Sequence, residues 1–495
     1  MYRSFIILLF VALTSRAEYT FDELSKSAYT ELLSLRLDNA QGFVNRSLAK
    51  HPNNGLPLYI NSYINVIKLF INEDPARYES EVKNQERLIE QLDAIKVESP
   101  YKMFLQAEHK LHWALLKMKY GNEVSGALDL RAAYKLLEDN TQKYPSFKPQ
   151  LKSLGLLHVL IGSIPNNYKW ATSAVGMKGS VAQGLHELET CIKDQNTFSF
   201  EAEIYLLLIK TYILKKQQDA IPLLDKLYNK HPDNLALCMV LGSTLLHNQQ
   251  SERAYLVLQN RPNSREYCPV PLIWKMLGDC HFFALHYKLA SEQYHTFLKN
   301  HKGENHIKDV NYKLFLIEWL ELGTQNAEYI KTVKTKGKAI FEADKHAVKY
   351  INDIQNQHLQ LTKARVLFDG GYWNEADKIL EGCPLSEFHK KTHLQEYYYR
   401  RGRVYFSLGR INEAIEAYKK SINLHDVKYN TYFAPNACLQ LGYIYLDRYD
   451  KVNAKKYFQK AINDYSSHEY ETSIENKSKA ALEGIDKSYS ALEKR

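Results

Sequence analysis

Apolar residues recur three and four positions apart along most of the chain, the spacing that gathers them on one face of an α-helix. Leu56 to Ile71 carries such a stripe. Pro75 opens a second helix expected to run to about Ile95, and Pro100 precedes a third from Tyr101 to about Tyr120. A fourth is expected from Ala127 to Thr141, ending before Pro145, because proline cannot continue a helix. The most regular pattern is in 441–461, where Leu441 and Gly442 are followed by Tyr445, Ala454, Phe458 and Ala461. The small residues Gly442 and Ala454 allow two helices to approach closely. Tyr445 and Phe458 fill the space between them.

The pattern repeats in register. Gly402, Tyr405, Ala414 and Tyr418 form one copy. Trp274, Leu277, Gly278, Ala290 and Tyr294 form another, and Leu241, Gly242, Leu245, Ala254 and Leu258 a third. Ala220, Leu224 and Pro232 mark a copy before that, Ala364, Ala376 and Leu380 a weaker one, and Ala28, Ala40 and Pro52 a possible first unit. The series resembles the tetratricopeptide repeat (TPR) family, whose unit is a helix–turn–helix of about 34 residues. The resemblance implies an all-α, TPR-type helical-hairpin solenoid whose first helices line a concave surface that holds extended peptides or partner helices. The family's inward positions, carried onto this sequence, fall on Lys275, Asp279 and Phe282, on Tyr399, Arg403 and Phe406, and on Tyr443, Leu446 and Asp447. These are the candidate partner-binding residues.

Between 154 and 188 the pattern changes. A hydrophobic helix ends at Gly162-Ser163-Ile164-Pro165, an aromatic loop with Tyr168 and Trp170 follows, and Gly176 and Gly179 lead into a second helix. This stretch is similar to the SxxP…GxxG segment of the inclusion-body-clearance family of TPR proteins. Those relatives act inside cells and lack a signal peptide, and this chain departs from them at its first residues. Tyr168 and Trp170 are a candidate ligand loop.

Composition supports the helical reading. Gly is 21 and Pro 14 of 495 residues, both sparse, which argues against a turn-rich all-β fold. Residues 1–17 hold Arg3, an apolar run from Phe5 to Leu13, and Ser15 and Ala17 placed as in a small-residue cleavage site. They read as a secretory signal peptide; the run is too short to span a membrane, which takes about 20 residues. The competing reading is a buried N-terminal helix. Removal of 1–17 takes away Arg3 and Arg16 and lowers the net charge of +9 by two. In a eukaryotic secretory protein Asn45 and Asn476 would be glycosylation acceptors. The six cysteines are widely spaced, which excludes CxxC zinc pairs and thioredoxin-type motifs. One or two disulfides are compatible with export. Cys238 and Cys438 fall at repeat core positions.

Catalytic and cofactor signatures are sparse. Gly179 and Gly184 have the spacing of a phosphate loop, but Leu185 and His186 stand where Lys and Ser/Thr are needed. His109 and His112, three apart on one expected helix, could share a metal only with a third ligand that is not evident. No HExxH or GxSxG occurs. Basic residues cluster at Lys331, Lys334, Lys336 and Lys338 and at Arg400, Arg401, Arg403 and Arg410; solvated helix faces account for them as well as anionic ligands do. Tyrosine is abundant, 36 residues including Tyr397-Tyr398-Tyr399. It suits both repeat cores and recognition surfaces.

The expected organisation is a signal peptide over 1–17 and a helical N-terminal region of degenerate hairpins over 18–195. TPR repeats follow over 196–300 and 356–466, separated at 301–355 by an irregular helical linker or a distorted repeat. A capping helix completes the chain over 467–495, with Ile474, Ala481, Ile485 and Leu492 on one side. The expected function is an exported, non-catalytic scaffold that binds a protein partner through its groove, in the periplasm, in peripheral association with the outer membrane, or secreted. The alternative is a cell-surface glycan- or lipid-binding helical protein. No cofactor, no metal and no nucleic-acid partner is expected.

Overall fold

A computed structural model describes residues 19–164 and 176–492. The expected leader at 1–17 lies outside the described residues, as do Pro165, Tyr168 and Trp170. Among the described residues every regular element is a helix. The chain divides into two units. The first holds the described residues to Asn248 with Arg253–Met276 and Thr296–Glu304; the second holds Gln249–Glu252, Leu277–His295 and Asn305 onward. The block expected at 196–300 is therefore shared between them.

Successive helices form hairpins, and the repeat residues explain why. In Lys391–Ser407 and Ile411–Asn423, a Cβ on Gly402 would lie 2.5 Å from the Tyr418 ring. The same approach joins Gly442 to Phe458 in Phe433–Asp447 and Lys451–Asn463, Gly278 to Tyr294, and Gly242 to Leu258. In each pair the large residue follows its glycine by the same interval, so one packing unit recurs in register.

The hairpin turns also recur. After each of these glycines a residue adopts a left-handed backbone: Gln249, Leu285, Gly409 and Tyr449. After Leu285, Gly409 and Tyr449 the next residue closes the preceding helix with a backbone bond spanning five residues, as from Arg410 N to Tyr405 O (2.8 Å) and Asp450 N to Tyr445 O (2.9 Å). This is the Schellman way of satisfying the last carbonyls of a helix.

The helix expected from Pro75 to Ile95 is two, Pro75–Val82 and Arg87–Ala94. The break is held by Gln85. Its side chain donates to Asp129 (2.9 Å), and its carbonyl accepts from His109 Nε2 (2.7 Å). The segment 301–355, expected to be helical but off the repeat template, holds three helices, Ile307–Leu322, Ala327–Thr335 and Glu342–Asn352. The C-terminal helix Glu471–Leu492 caps the second unit, burying Ile474 and Ile485 against Ala454 and Phe458. All six cysteines carry free thiols, and Cys238 and Cys438 are fully buried.

The first unit contains an ionic core that no sequence pattern announced. Lys152 is fully buried and donates to Glu108 and to Glu201 (2.8 Å). Glu201 also accepts from Tyr63 (2.9 Å), Tyr205 (2.8 Å) and Tyr29. Glu108 accepts from Ser153 and Tyr59. Five helices meet at this network: Glu23–Leu33, Gly55–Asn72, Pro100–Lys119, Leu151–Gly162 and Ser199–Leu208. One lysine faces two carboxylates, and the two respond oppositely. Burial and the neighbouring Glu201 push the Glu108 carboxyl up, whereas Glu201, despite burial, is held at about 2 by Lys152 and His112.

Candidate functional site

The second unit contains a cavity of about 470 Å³. Its walls come from the first helices of successive hairpins, each presenting a pair of side chains one turn apart, the spacing that keeps both on one helix face. Ile307–Leu322 supplies Asp309 and Lys313, Leu359–Gly370 supplies Arg365 and Asp369, Lys391–Ser407 supplies Tyr399 and Arg403, and Phe433–Asp447 supplies Asn436 and Gln440. Tyr350, on the extra helix Glu342–Asn352, and Tyr470 close one side.

The aromatic wall is continuous. Tyr432 meets Tyr399 edge to face at 5.7 Å and Tyr470 at 5.1 Å, and Tyr350 stacks on Tyr312 at 6.2 Å. Burial pushes the Tyr399 and Tyr432 hydroxyls above the ordinary tyrosine value, so both stay protonated.

The cations differ in engagement. Lys313 is neutralised by Asp279 (2.6 Å) and Asp309 (3.0 Å). Arg403 is less committed. Its side chain is 28% exposed, Asp369 lies at 3.9 Å, and its guanidinium stacks 4.0 Å from the Phe368 ring centroid. Arg365 lies over the Tyr350 ring. Asn436 and Gln440 are half-buried, with the Gln440 amide donating to Asn436 (3.2 Å). Amides, hydroxyls and stacked guanidiniums match the needs of a polypeptide, whose backbone offers a donor and an acceptor at nearly every residue.

Of the sequence-derived candidates, Phe282, Tyr399 and Arg403 line this cavity together. Asp279 is buried behind it, accepting from Tyr294 (2.8 Å) and Lys313. Phe406 and Asp447 are exposed outside it, about one and two turns beyond the wall toward their helix C-termini. Tyr443 packs against Phe458 (5.2 Å), Leu446 joins the terminal core cluster, and Lys275 is half-buried in the first unit. Asn436, Gln440, Arg365 and Tyr350 were missed. Asn436 and Gln440 were findable from their one-turn spacing on the inner face of a recognised repeat helix. Tyr350 sits on a helix outside the repeat pattern.

Other chemistry considered in the sequence resolves into packing. His109 accepts from Ser62 (3.0 Å) and donates to Gln85, while His112 stacks on Tyr63 at 3.8 Å. Among the described residues no group of three or more His, Cys, Asp or Glu could hold a metal. Gly184 has its Cβ position 2.3 Å from the Gly155 carbonyl, so the phosphate-loop spacing reflects close helix crossing. The arginine cluster is engaged with nearby acids: Arg400 is buried on Glu396, and Arg410 binds Glu413 and Asp377 (2.8 Å).

Two stretches match family models described as Tetratricopeptide repeat, residues 396–425 and 435–463. They coincide with the two hairpins that bring Tyr399, Arg403, Asn436 and Gln440 to the cavity. A solved structure, the crystal structure of the yeast Tom70, aligns with 88% of this chain and 91% of its own at 13% identity, with a TM-score of 0.32. The matches fall on two of the recurring glycine hairpins, so residues 396–425 and 435–463 carry tetratricopeptide repeats, and every regular element among the described residues is a helix.

Proposed function

We propose that the second unit holds an extended segment of a partner protein in the cavity bounded by Arg365, Tyr399, Arg403, Asn436 and Gln440, and performs no catalysis there. The observation that carries this reading is the convergence of paired polar side chains from the first helices of four successive hairpins on one aromatic-walled space. An extended chain lying across those helices would meet a new pair at each step. Tyrosine walls give contact area at low entropic cost, and the loosely held guanidinium of Arg403 gives one directional charge. A photo-crosslinking residue at Gln440 should capture a protein partner, and the same residue at exposed Tyr449 should not. Equal capture from both positions would refute the assignment.

Residues 1–17 favour an exported scaffold acting in the periplasm, at the outer membrane or outside the cell. Intact mass of the chain recovered from its own source tests this: a mature start at Glu18 supports export, and a retained Met1 opposes it.

A further inference from the structure

The first unit has a second cavity, of about 700 Å³, that the repeat pattern does not account for. One wall is the loop 260–271, which joins Ser251–Gln259 to Leu272–Phe283. The loop is built to hold its shape. Pro262, Pro269 and Pro271 fix its backbone. Cys268 N donates to Leu35 O (2.9 Å), and Tyr267, which accepts from Arg36 (2.9 Å), donates to Asp233 O (2.6 Å).

Four basic side chains line this cavity, Lys68, Arg77, Arg261 and Arg265, against two acids, Asp38 and Glu266. Lys68 lies 3.4 Å from Asp38, and Glu266 accepts from Ser264 (2.8 Å). Arg261 donates to Leu258 O (3.0 Å) and lies 5.0 Å from the Trp274 ring centroid. Among the described residues none of Arg77, Arg261 and Arg265 has a carboxylate within ion-pair range. Four basic side chains thus line the cavity against two acids, and the three guanidiniums are out of ion-pair range of both. Leu37, Ile71, Ile273 and Trp274 supply apolar wall between them.

We infer that this cavity docks an acidic segment of a partner protein, with carboxylates on the three arginines and apolar side chains against Trp274 and its neighbours. Guanidinium pairs with carboxylate in a planar, two-bond geometry. An inorganic anion would satisfy the charges but leave the apolar wall uncovered, whereas a peptide alternating acidic and apolar residues covers both. The site is independent of the proposed groove in the second unit.

The test uses the full chain and a fluorescein-labelled peptide of alternating glutamate and leucine, read by anisotropy. Arg77→Ala with Arg265→Ala should weaken binding by about tenfold or more, as expected for losing two charge-assisted contacts. Lys331→Ala with Lys334→Ala in the second unit should leave it unchanged. Arg265 is exposed and Arg77 only half-buried, so an unchanged thermal midpoint is expected; Arg265→Glu alone gives a second reading of the same contact. Unaltered binding by the arginine variants, or equal loss in the lysine control, overturns the proposal. Displacement of the peptide by citrate at equal concentration would also overturn it, in favour of a small-anion site.

Discussion

Gly402 and Tyr418 are in contact across the helix pair Lys391–Ser407 and Ile411–Asn423, so closely that a Cβ on the glycine would meet the ring at 2.5 Å. Tyr418 is fully buried and has nowhere to move without disturbing Tyr399, 6.3 Å away between ring centroids. Gly402→Ala is expected to destabilise the second unit by about 1–3 kcal/mol, the usual cost of overpacking a core. Gly42→Ala, on an exposed helix face with nothing within 4 Å, is expected to stabilise by roughly 0.5–1 kcal/mol. Urea denaturation of both variants checks the pair, and loss of stability in both would contradict it.

The turn residue Tyr449 has a φ of 62° and is 89% exposed, so it bears left-handed strain with little packing in return. The equivalent turn after Gly402 uses Gly409. Tyr449→Gly is expected to raise stability by up to about 1 kcal/mol, since relief of the Cβ clash outweighs the added freedom of the unfolded chain. A fall in the thermal midpoint would show that the Tyr449 side chain contributes more than its exposure indicates.

The ionic core of the first unit ranks its own substitutions. Lys152→Met leaves the Glu201 charge buried without its cation and is expected to cost about 3–5 kcal/mol. Glu108→Gln is expected to cost far less, because burial and Glu201 already favour the protonated form of that carboxyl and the amide keeps its shape. Equal losses from the two variants would mean that Glu108 is ionised in the folded protein.

Acid should act mainly on the first unit. Burial holds His109 at about 4 and His112 at about 3, below the ordinary 6.5. Between those values and 6.5 the unfolded chain binds protons that the folded chain refuses. Their contribution is therefore full above 6.5 and falls as pH drops toward 4 and then 3, by about 1.4 kcal/mol per histidine per pH unit. Glu201, held at about 2, contributes fully above 4.5 and loses that contribution as pH falls toward 2. Glu108, whose carboxyl is raised, works in the opposite sense: its contribution is full below 4.5 and lost as pH rises through its folded value. Denaturation midpoints should fall steadily from pH 7 to pH 4, and His112→Phe should flatten that slope. A slope unchanged in the variant would remove His112 as its source.

The hairpins at Gly242, Gly278, Gly402 and Gly442 were legible because each rests on local spacing: a small residue, then a large one at a fixed distance along the chain. The terminal cap was legible for a related reason, since Ile474 and Ile485 share one helix face. The break near Gln85 was not, because its cause, Asp129 and His109, lies far along the chain. The Lys152 network was invisible for the same reason: each member looks like an ordinary surface residue until five helices bring them together. The groove was half legible. Tyr399 and Arg403 follow from the repeat register, but Tyr350 and Tyr470 reach the cavity from helices and turns that obey no repeat.

The groove of the second unit can be probed without unfolding it. Arg403, Asn436 and Gln440 are only partly buried, so replacing all three by alanine should preserve the helical signal and thermal midpoint. The measurement is quantitative recovery of partner protein by residues 18–495 from the chain's own source, wild type against this triple variant. Stoichiometric recovery by the wild type, and at least a tenfold loss (about 1.4 kcal/mol) in the folded variant, is the predicted result. Equal recovery by both proteins would place the interaction elsewhere on the scaffold and contradict the groove.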